Sequence, residues 1–424
     1  MVGIDIDETR VRRIRKKERV INEPGLQPLL NRALKAGYLD LQTDFIELRQ
    51  TGISFITVGT PGRPDGSIDT RFVEDAAKSI GRALKSSKEF HLVVVKSTVV
   101  PGTTNGKVRP ILEAESRTEV GDKIGLAVNP EFLREGSAVQ DTHHPEALVL
   151  GTSDKKSSAT LLSLYRRFYH RLPPTVRTTP DNAELIKYSI NAVRAIQVNY
   201  VNFLANICSR IQGGEMREIV ESLSRVAKLD QRYLGAGLGY GGSCLPKDTR
   251  ALLAFADSIG VDASLLRSTI DMNERQPEQA MEMARKLVGD LKGKKVAILG
   301  LAFKANTDDV RESTAIRVID ALLRYGAKVV AYDPEAMGNA RSILGNKISY
   351  AASAKECIKG ADVCIVATAW KEFKGLKPDQ FQSLMKSPAV VDGRRIYDPG
   401  QFRAYRVPLM MVGTAASVIP TRGP

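Results

Sequence analysis

One cysteine stands in the stretch whose residue types and spacing best allow chemistry. The stretch GYGGSCLPKD, Gly239–Asp248, places Cys244 after several glycines and shortly before Lys247 and Asp248. Glycine lets a ligand approach the main chain closely, and a cationic neighbour makes a thiol more nucleophilic. The stretch therefore predicts a nucleophilic cysteine. The alternative is an idle cysteine in a glycine-rich surface loop.

The length and composition bound the class of protein. A chain of 424 residues predicts two or three domains, and 43% hydrophobic with 26% charged residues is ordinary for a globular protein. No apolar run reaches the length of a membrane span, and the short N-terminal segment before the first charged residues does not resemble a signal peptide. We therefore expect a cytoplasmic protein without membrane contact.

The cysteines, the histidines and the distribution of charge argue against a disulfide-rich, a metal-binding and a nucleic-acid-binding protein. Four cysteines are too few for a disulfide framework, and the four histidines lack the spacing of metal ligands, so we expect no metal. Cys208, Cys357 and Cys364 lie in periodic stretches and are predicted core residues. The net charge of +14 would suit nucleic acid. However, the one dense basic run, Arg10–Arg19, favours a solvated helix face, so no nucleic-acid partner is expected.

The elements that would position the cysteine begin with an α/β unit. Val2–Ile4 is a predicted strand that ends at Asp5, and dinucleotide folds bind the adenosine ribose at such a position. Apolar strands then alternate with amphipathic helices, which predicts a parallel sheet. The polar and turn residues that follow these strands should line one crevice at their carboxyl ends. They are Thr60, Lys96, Ser97, Thr98, Asn129, Pro130 and Glu131. The further predicted strands are 53–61, 91–98, 124–132 and 146–151.

A long helix and a second α/β unit follow. Residues 182–212 contain neither proline nor glycine, and apolar residues recur every three or four positions, which predicts a long amphipathic helix. Lys187 and Asn191 share one face of it. The alternative for Lys187 is an ordinary solvent-exposed side chain, since most lysines are exposed. A second alternation of strands and helices begins at Lys294.

Further motifs are spread along the chain. They are NEPGL (22–26), VGTP (58–61), KSTVVPGTT (96–104), NPEFLREGSA (129–138), AELIKYSINA (183–192), FKANTDDVRES (303–313) and DGRR (392–395). Together with GLGYGGSCLPKD (237–248), they resemble the UDP-glucose/GDP-mannose dehydrogenase family from the first residue to beyond Arg395. Any one motif alone is modest evidence, whereas the whole set in order is specific.

The resemblance implies covalent catalysis at Cys244. Members of this family oxidise the C6 hydroxymethyl group of a nucleotide sugar twice with NAD, through a thiohemiacetal and a thioester on the cysteine. It implies that Lys187 and Asn191 stabilise the oxyanion. It further implies that Asp248, Glu131 and Thr98 position and deprotonate water. Glu131 and Glu135 could instead simply cap the start of a helix.

The resemblance also implies ligand contacts and an assembly. The UDP portion would lie among the central helices, the loop 233–242 and the C-terminal domain, and the long helix suggests a homodimer. The expected NAD contacts are Asp5, Arg10, Thr60, Thr98, Glu135 and Arg311. The expected contacts to the nucleotide-sugar substrate are Glu131, Lys187, Asn191, Tyr233, Gly241, Lys247, Lys304, Arg394 and Arg395.

The implied fold is α/β, with two Rossmann-like doubly wound domains joined by a long central helix. The expected division is 1–180 for NAD binding, 181–288 for a central helical dimerisation and catalytic region, and 289–424 for UDP-sugar binding. The family's first strand and GxGxxG turn are missing, because the one such string, Gly237–Gly242, leads into the cysteine. We therefore expect an N-terminally truncated first domain. Its sheet should be interrupted between the Val2 strand and the Leu92 strand, with Ile53–Val58 outside Val2.

The predicted function is NAD-dependent oxidation of UDP-glucose to UDP-glucuronate, with alternatives left open. The motif GLGYGGSC resembles the UDP-glucose branch, whereas Leu245 also occurs in GDP-mannose enzymes, and Ser243 argues against the N-acetylmannosamine branch. A GDP-mannose or UDP-N-acetylhexosamine 6-dehydrogenase is therefore an alternative. If the first domain is truncated, the chain either starts at an internal methionine of a longer reading frame or is an inactive remnant that still binds UDP-sugars.

Overall fold

The computed structural model describes residues 1–85 and 87–415. The sequence pattern of 70–87 predicts a helix, and that of the C-terminal tail predicts no element. Ser86 of the first stretch and residues 416–424 of the tail lie outside the described residues. The chain divides into two compact units. The first comprises Met1–Ile190 and Arg250–Asp262, and the second comprises Asn191–Thr249 and Ala263 onwards. Within the described ranges, none of the helices combines the length and apolarity that a membrane span requires.

The strands of the first unit form two separate sheets. They are β1 (Val2–Ile4), β2 (Asp40–Gln42), β3 (Ile53–Ile56), β4 (His91–Val95), β5 (Ile124–Val128), β6 (Leu148–Thr152) and β7 (Thr175–Thr178). β1 pairs in parallel with β2, and the other five form a sheet in the order β3-β4-β5-β6-β7. Every residue of β4 and β5 is buried, as expected for apolar strands covered on both faces.

Two expectations about this sheet are wrong. Ile53–Val58 does not lie outside the Val2 strand, because β3 pairs directly with β4, Ile53 beside Leu92. β1 does lie apart from β4, paired with β2 alone. The sheet is also not wholly parallel, since β6 runs antiparallel to β5. β6 begins beyond the carboxyl end of β5 and runs back along it, whereas a parallel neighbour needs a crossover to the opposite end.

Helices cover the strands of the first unit. Asp7 caps the first helix by accepting hydrogen bonds from the main-chain N–H groups of Thr9 and Arg10. A 3₁₀ helix spans Ile46–Gln50, and a π-helical turn, Thr104–Val108, precedes the fourth α-helix. The helices are α1 (Glu8–Arg15), α2 (Leu26–Lys35), α3 (Arg71–Leu84), α4 (Arg109–Ser116), α5 (Ala138–His143) and α6 (Lys155–Phe168).

The long helix predicted at 182–212 is α7 (Pro180–Cys208). Its first part, up to Ile190, belongs to the first unit, and the remainder belongs to the second. Ala183 and Tyr188 are fully buried in the core of the first unit, and Val201, Ala205 and Cys208 are buried in that of the second. One helix therefore carries residues of both cores.

The second unit contains a six-stranded parallel sheet. Its strands are β8 (Lys295–Leu299), β9 (Lys328–Tyr332), β10 (Ser349–Tyr350), β11 (Val363–Val366), β12 (Val390–Asp392) and β13 (Leu409–Met411). The order β10-β9-β8-β11-β12-β13 is that of a doubly wound Rossmann-like fold. Cys364 on β11 and Cys357 on α14 are fully buried, which confirms that they are core residues, as Cys208 also is.

Further helices precede the sheet of the second unit and flank its strands. A short 3₁₀ helix, Gln231–Tyr233, lies among them. The first four along the chain are α8 (Met216–Val226), α9 (Leu245–Ser258), α10 (Ser264–Arg275) and α11 (Glu278–Val288). The part of α9 from Arg250 onwards belongs to the first unit. The remainder are α12 (Thr314–Arg324), α13 (Met337–Leu344), α14 (Ala354–Ile358), α15 (Lys371–Lys374), α16 (Pro378–Leu384) and α17 (Pro399–Ala404).

Candidate active site

Cys244 lies immediately before α9. It is the one exposed cysteine of the four, none of which forms a disulfide bond. Its carbonyl oxygen accepts a hydrogen bond from the N–H of Asp248, 2.9 Å away, so the residue begins the first turn of the helix. The Ser243 hydroxyl lies 3.5 Å from Sγ. The thiol is therefore presented to solvent by a fixed helical turn.

A buried carboxylate lies one helical turn after the cysteine. Asp248 is 1% exposed. Its Oδ2 accepts a hydrogen bond of 2.6 Å from the Asn191 amide, and its Oδ1 accepts one of the same length from the Lys247 ammonium. Burial is costly for an unpaired charge, and here an amide and a cation satisfy it. The predicted site residues Asn191, Lys247 and Asp248 thus form one cluster within the second unit.

The residues 237–242, which we call the glycine loop, precede Cys244 and are packed tightly. Gly241 and Gly242 are buried, and the N–H of Gly242 donates to the carbonyl of Arg311 at 2.9 Å. Gly242 has φ +84°, and a Cβ there would lie 2.7 Å from the ring of Phe303. A larger residue would both strain the backbone and clash with this ring. The loop therefore requires glycine on packing grounds.

A second cluster, within the first unit, surrounds Lys187. This lysine is 3% exposed. Its ammonium donates to the carbonyl of Glu131 at 2.6 Å and to the Glu131 carboxylate at 3.2 Å, and it lies 5.3 Å from the centre of the Phe132 ring. The view of Lys187 as an ordinary solvated lysine is therefore wrong. It is a buried ammonium held by a carbonyl, a carboxylate and an aromatic ring.

Lys96 is a half-buried cation of this cluster, which the sequence placed at the crevice without a specific role. Its ammonium donates to Oδ1 of Asn129 at 3.0 Å. Burial lowers the pKa of Lys96 to about 8, with the nearby Lys187 acting in the same direction and Glu131 against it. Two cations and one carboxylate thus share this site. Its position directly after the buried strand β4 is the reason that the sequence placed it at the crevice.

Glu184 is a functional candidate that sequence reasoning missed. It is 1% exposed and lies on α7, one turn before Lys187. Its carboxylate accepts hydrogen bonds from the N–H groups of Gly102 and Thr104, at 2.7 and 2.8 Å. Burial raises the pKa of Glu184 to about 7. Its bonds tie the helix of Lys187 to the segment that follows Thr98.

The predicted cofactor residues of the first unit lie after β1, after β3 and β4, and between β5 and α5. Asp5 follows β1, and its Oδ2 accepts a hydrogen bond of 2.7 Å from the Arg10 guanidinium. Thr60 donates from its hydroxyl to the carbonyl of Thr98 at 2.8 Å, so these two residues are joined. Glu135 lies half-buried between β5 and α5. Asp5 fits an adenosine ribose, because its partly exposed carboxylate follows a parallel strand and can accept from hydroxyl groups.

Arg394 is a predicted ligand residue of the second unit whose side chain is hydrogen-bonded to other parts of the chain. Arg394 donates to the carbonyls of Ala367 and Gly239, at 2.7 and 3.1 Å, and to the Thr314 hydroxyl at 2.8 Å. Burial lowers its pKa to about 10. Its guanidinium is thus bound by protein acceptors, one of them in the glycine loop.

The remaining predicted residues of the second unit also have protein contacts. Arg395 donates to the carbonyl of Val412 and forms an ion pair with Glu215. Arg311 forms an ion pair with Asp309. The other two predicted residues have aromatic contacts: the Lys304 ammonium lies 5.3 Å from the Phe303 ring centre, and the Tyr233 ring lies 5.0 Å from the Arg194 guanidinium.

Models of one family match all three regions of the chain. The UDP-glucose/GDP-mannose dehydrogenase NAD-binding domain matches residues 1–169, its central domain matches 181–275, and its UDP-binding domain matches 297–399. The first of these matches begins at residue 1 and so gives no support to the expected loss of the N-terminal strand and turn.

Curated proteins and solved structures of the same kind resemble the chain over nearly its whole length. The UDP-glucose 6-dehydrogenase AglM of Haloferax volcanii is 43% identical over 93% of this chain and 91% of that protein. The UDP-glucose 6-dehydrogenase YwqF of Bacillus subtilis is 37% identical over 99% and 93% respectively. A UDP-glucose dehydrogenase structure from Pyrobaculum islandicum is 38% identical, with a TM-score of 0.88 over 98% of this chain and 92% of that one. The chain belongs to the UDP-glucose/GDP-mannose dehydrogenase family.

Proposed function

We propose that this protein oxidises the C6 hydroxymethyl group of UDP-glucose to a carboxylate, giving UDP-glucuronate. The observation that carries the proposal is the exposed Cys244 thiol at the start of α9, with the buried Asp248 one turn away. Relatives with the name UDP-glucose 6-dehydrogenase support this choice of substrate. NAD, when bound, accepts one hydride in each of the two oxidations. The protein must supply the nucleophile, the charge stabilisation and the water activation.

The covalent step belongs to Cys244. Its thiolate attacks C6 of the aldehyde formed by the first oxidation, a carbon–sulfur bond forms, and the carbonyl electron pair moves to oxygen to give a thiohemiacetal. Loss of a hydride from C6 re-forms the carbonyl and leaves a thioester. Water then adds to the thioester, the carbon–sulfur bond breaks, and the carboxylate and the free thiol are released. Two easier steps thus replace one difficult oxidation.

Lys187 and Asn191 are the groups that we assign to the developing oxyanion. The Lys187 ammonium already binds a carbonyl oxygen, that of Glu131, at 2.6 Å, which is the kind of acceptor that it would meet in the substrate. Desolvated donors stabilise a developing negative charge strongly. The Asn191 amide donates to Asp248 and would hold either the substrate oxygen or an ordered water.

Asp248, Glu131 and Thr98 are assigned to the hydrolytic step. A carboxylate within hydrogen-bond reach of a water molecule can remove its proton as the water attacks. Asp248 is anchored by an amide and an ammonium, and Glu131 by the ammonium of Lys187. These contacts fix each carboxylate in one orientation, which is what a water-activating group requires.

The remaining assignments concern the ends of the two ligands. Asp5 and Arg10 are assigned to the adenosine ribose of NAD, with Thr60, Thr98, Glu135 and Arg311 as further contacts. The substrate is assigned to Glu131, Lys187, Asn191, Tyr233, Gly241, Lys247, Lys304, Arg394 and Arg395. The guanidinium groups suit phosphate because each donates in a planar fork. The contacts of Arg394 with the glycine loop would make phosphate binding and loop position interdependent.

The direct test of this function is turnover by the 424-residue chain. With UDP-glucose and NAD we expect NADH to form together with UDP-glucuronate, and GDP-mannose and UDP-N-acetylglucosamine to be poorer substrates. Cys244→Ser should lower kcat by about a thousandfold or more. Cys208→Ala, a change at a buried cysteine, should retain turnover. Absence of NADH formation with UDP-glucose would refute the proposal, and preference for another nucleotide sugar would reassign the substrate.

We also propose a homodimer through α7. Val193, Tyr200, Phe203 and Ile207 are 60%, 47%, 45% and 42% exposed, and their spacing places them on one face of the helix. A second copy of the chain would cover this face. Light scattering of the purified protein should give the mass of a dimer, and Phe203→Glu should give that of a monomer. Ile343→Glu, at an exposed position of α13, is the control and should leave the dimer intact.

The compartment proposed is the cytoplasm, because the four cysteines are in the reduced thiol form that a reducing compartment maintains. Fractionation of the source cells would test it. Recovery of the protein from an oxidising compartment would contradict it.

A further inference from the structure

The main chain that leads into Cys244 is bonded to a side chain of α10. Oδ1 of Asn273 accepts from the N–H of Tyr240 at 2.9 Å, and its Nδ2 donates to the carbonyl of Tyr240 at 3.0 Å. Asn273 is only 2% exposed. Both main-chain groups of one residue are thus bonded to a single amide. A neighbouring antiparallel strand would satisfy Tyr240 in the same way.

Two more buried amides bond the same loop three residues earlier. Nε2 of Gln276 donates to the carbonyl of Gly237 at 2.8 Å, and Oδ1 of Asn202 accepts from its N–H at 2.8 Å. Asn202 and Gln276 are 1% and 5% exposed. Side-chain amides therefore satisfy the main chain of the loop at two residues. No regular secondary structure is needed there.

The loop also lies too close to Asn273 for a side chain to intervene. Gly239 has φ +101°, and a Cβ built on it would lie 2.7 Å from Oδ1 of Asn273. This close approach, together with the paired hydrogen bonds at Tyr240, fixes the position of the loop relative to α10. The main chain then continues through Gly241, Gly242 and Ser243 to the cysteine.

We infer that Asn273 is a positioning residue for Cys244. The inference rests on the proposed role of Cys244 as the nucleophile. Asn273 acts through the main chain, since its amide bonds Tyr240 and the thiol lies a few residues further on. An exposed thiol must meet C6 within a narrow range of distance and angle, and a misplacement of about 1 Å can cost a hundredfold in rate. Loss of the hydrogen bonds between Asn273 and Tyr240 would therefore slow the chemical step.

A purely structural role makes a different prediction. If Asn273 served only to satisfy buried polar groups, its loss would lower the free energy of unfolding, and the molecules that remain folded would turn over normally. If it positions Cys244, the folded molecules themselves turn over slowly. Hydrogen exchange of the loop amides distinguishes the two roles, because a released loop opens locally while the rest of the unit stays protected.

The test uses the full-length chain with two variants of Asn273 and one control. Asn273→Asp keeps the size and the acceptor but loses the donor to Tyr240, and Asn273→Ala removes both. Asn346→Asp makes the same change at an exposed position outside the site. We expect kcat of the Asp variant to fall about tenfold or more, with KM for UDP-glucose and for NAD nearly unchanged. Exchange of the amides in 237–242 should become faster, and the control should match the wild type.

Several outcomes would overturn the inference. It fails if kcat of folded Asn273→Asp stays within about twofold of the wild type, or if loop exchange is unchanged in that variant. If Asn273→Ala does not fold, the isosteric Asp variant decides the matter alone. Turnover retained by Cys244→Ser would refute the proposed function, whereas loop exchange and the alkylation rate of Cys244 by iodoacetamide would still report whether Asn273 holds the loop.

Discussion

The two units of the protein each place an aspartate directly after a strand of a parallel sheet, and the two aspartates have opposite surroundings. Asp5 follows β1, and its side chain is 33% exposed, bonded to Arg10 and to the N–H of Asp7. Asp333 follows β9 and is only 1% exposed. Its carboxylate accepts from the N–H groups of Leu301, Ala302, Glu335 and Ala336 and from Nε1 of Trp370.

This difference separates a binding position from a structural one. A carboxylate at the end of such a strand can accept from the hydroxyls of a ribose, but only if its oxygen atoms are available. Those of Asp333 are engaged by five protein donors. Those of Asp5 are partly solvated and can exchange a water molecule or an arginine for a ligand. Similar topology therefore gives a nucleotide-binding candidate in the first unit and a packing device in the second.

The largest effect is expected from Asp333→Asn. The new amide group places N–H atoms against main-chain N–H groups, so at least one buried donor loses its acceptor. We expect the free energy of unfolding to fall by about 3 kcal/mol, measured by urea denaturation. The control is Asp398→Asn, at an exposed N-cap where the side chain accepts from Gly400, and asparagine caps a helix as well as aspartate. A similar small loss in both variants would contradict a structural role for Asp333.

Local sequence patterns were sufficient to predict most strands of the first unit and the first strand of the second. Apolar strands were predicted at β1, β3, β4, β5 and β8, and the polar residues after them at the correct positions. Short β2 was missed because Asp40–Gln42 contains a single apolar residue. The neighbours of β3 and the direction of β6 were predicted wrongly, since the partner of a strand is chosen by tertiary packing and not by its own residues.

The surroundings of single side chains were less predictable. Trp370, which bonds Asp333, lies 37 residues away in sequence, and Glu184 lies 80 residues or more from the amides that it binds. Neither contact leaves a local pattern. The family motifs contained Lys96 and Glu184, but a motif does not say whether a charged residue binds a ligand or another part of the chain. The division of roles between Asp5 and Asp333 needed three-dimensional contacts.

Glu184 is a third case beside Asp5 and Asp333. It is buried like Asp333, but its carboxylate accepts from two main-chain N–H groups where that of Asp333 accepts from four and from an indole. Burial raises its pKa from 4.5 to about 7, with Asp181 acting in the same direction. The folded protein therefore binds this proton more tightly than the unfolded chain. The contribution to stability is complete below pH 4.5 and is lost as the pH rises through 7, a loss of about 3 kcal/mol for a shift of this size.

Glu184→Gln should remove this pH dependence. The glutamine cannot ionise, so the stability of the variant relative to the wild type should improve as the pH rises from about 5 to 8. Thermal or urea denaturation across that range measures the difference. Glu119→Gln changes an exposed carboxylate on the same unit and should run parallel to the wild type. If the stability of Glu184→Gln also ran parallel to that of the wild type across this pH range, the pKa of Glu184 would not be raised in the folded state.

The smallest effect on stability, and a specific effect on binding, is expected from Asp5→Asn. The Asp5–Arg10 pair is exposed, and such pairs contribute less than about 1 kcal/mol to stability. A hydrogen bond from a ribose hydroxyl to a charged carboxylate contributes about 1.5 kcal/mol or more, so the Kd for NAD should rise about tenfold, measured by calorimetry. Asp44→Asn is the matched control, because Asp44 also accepts from an N–H two residues on but does not follow β1. Equal NAD affinity in both variants would show that Asp5 does not bind the cofactor. Asp5 and Asp333 would then differ in burial but not in function.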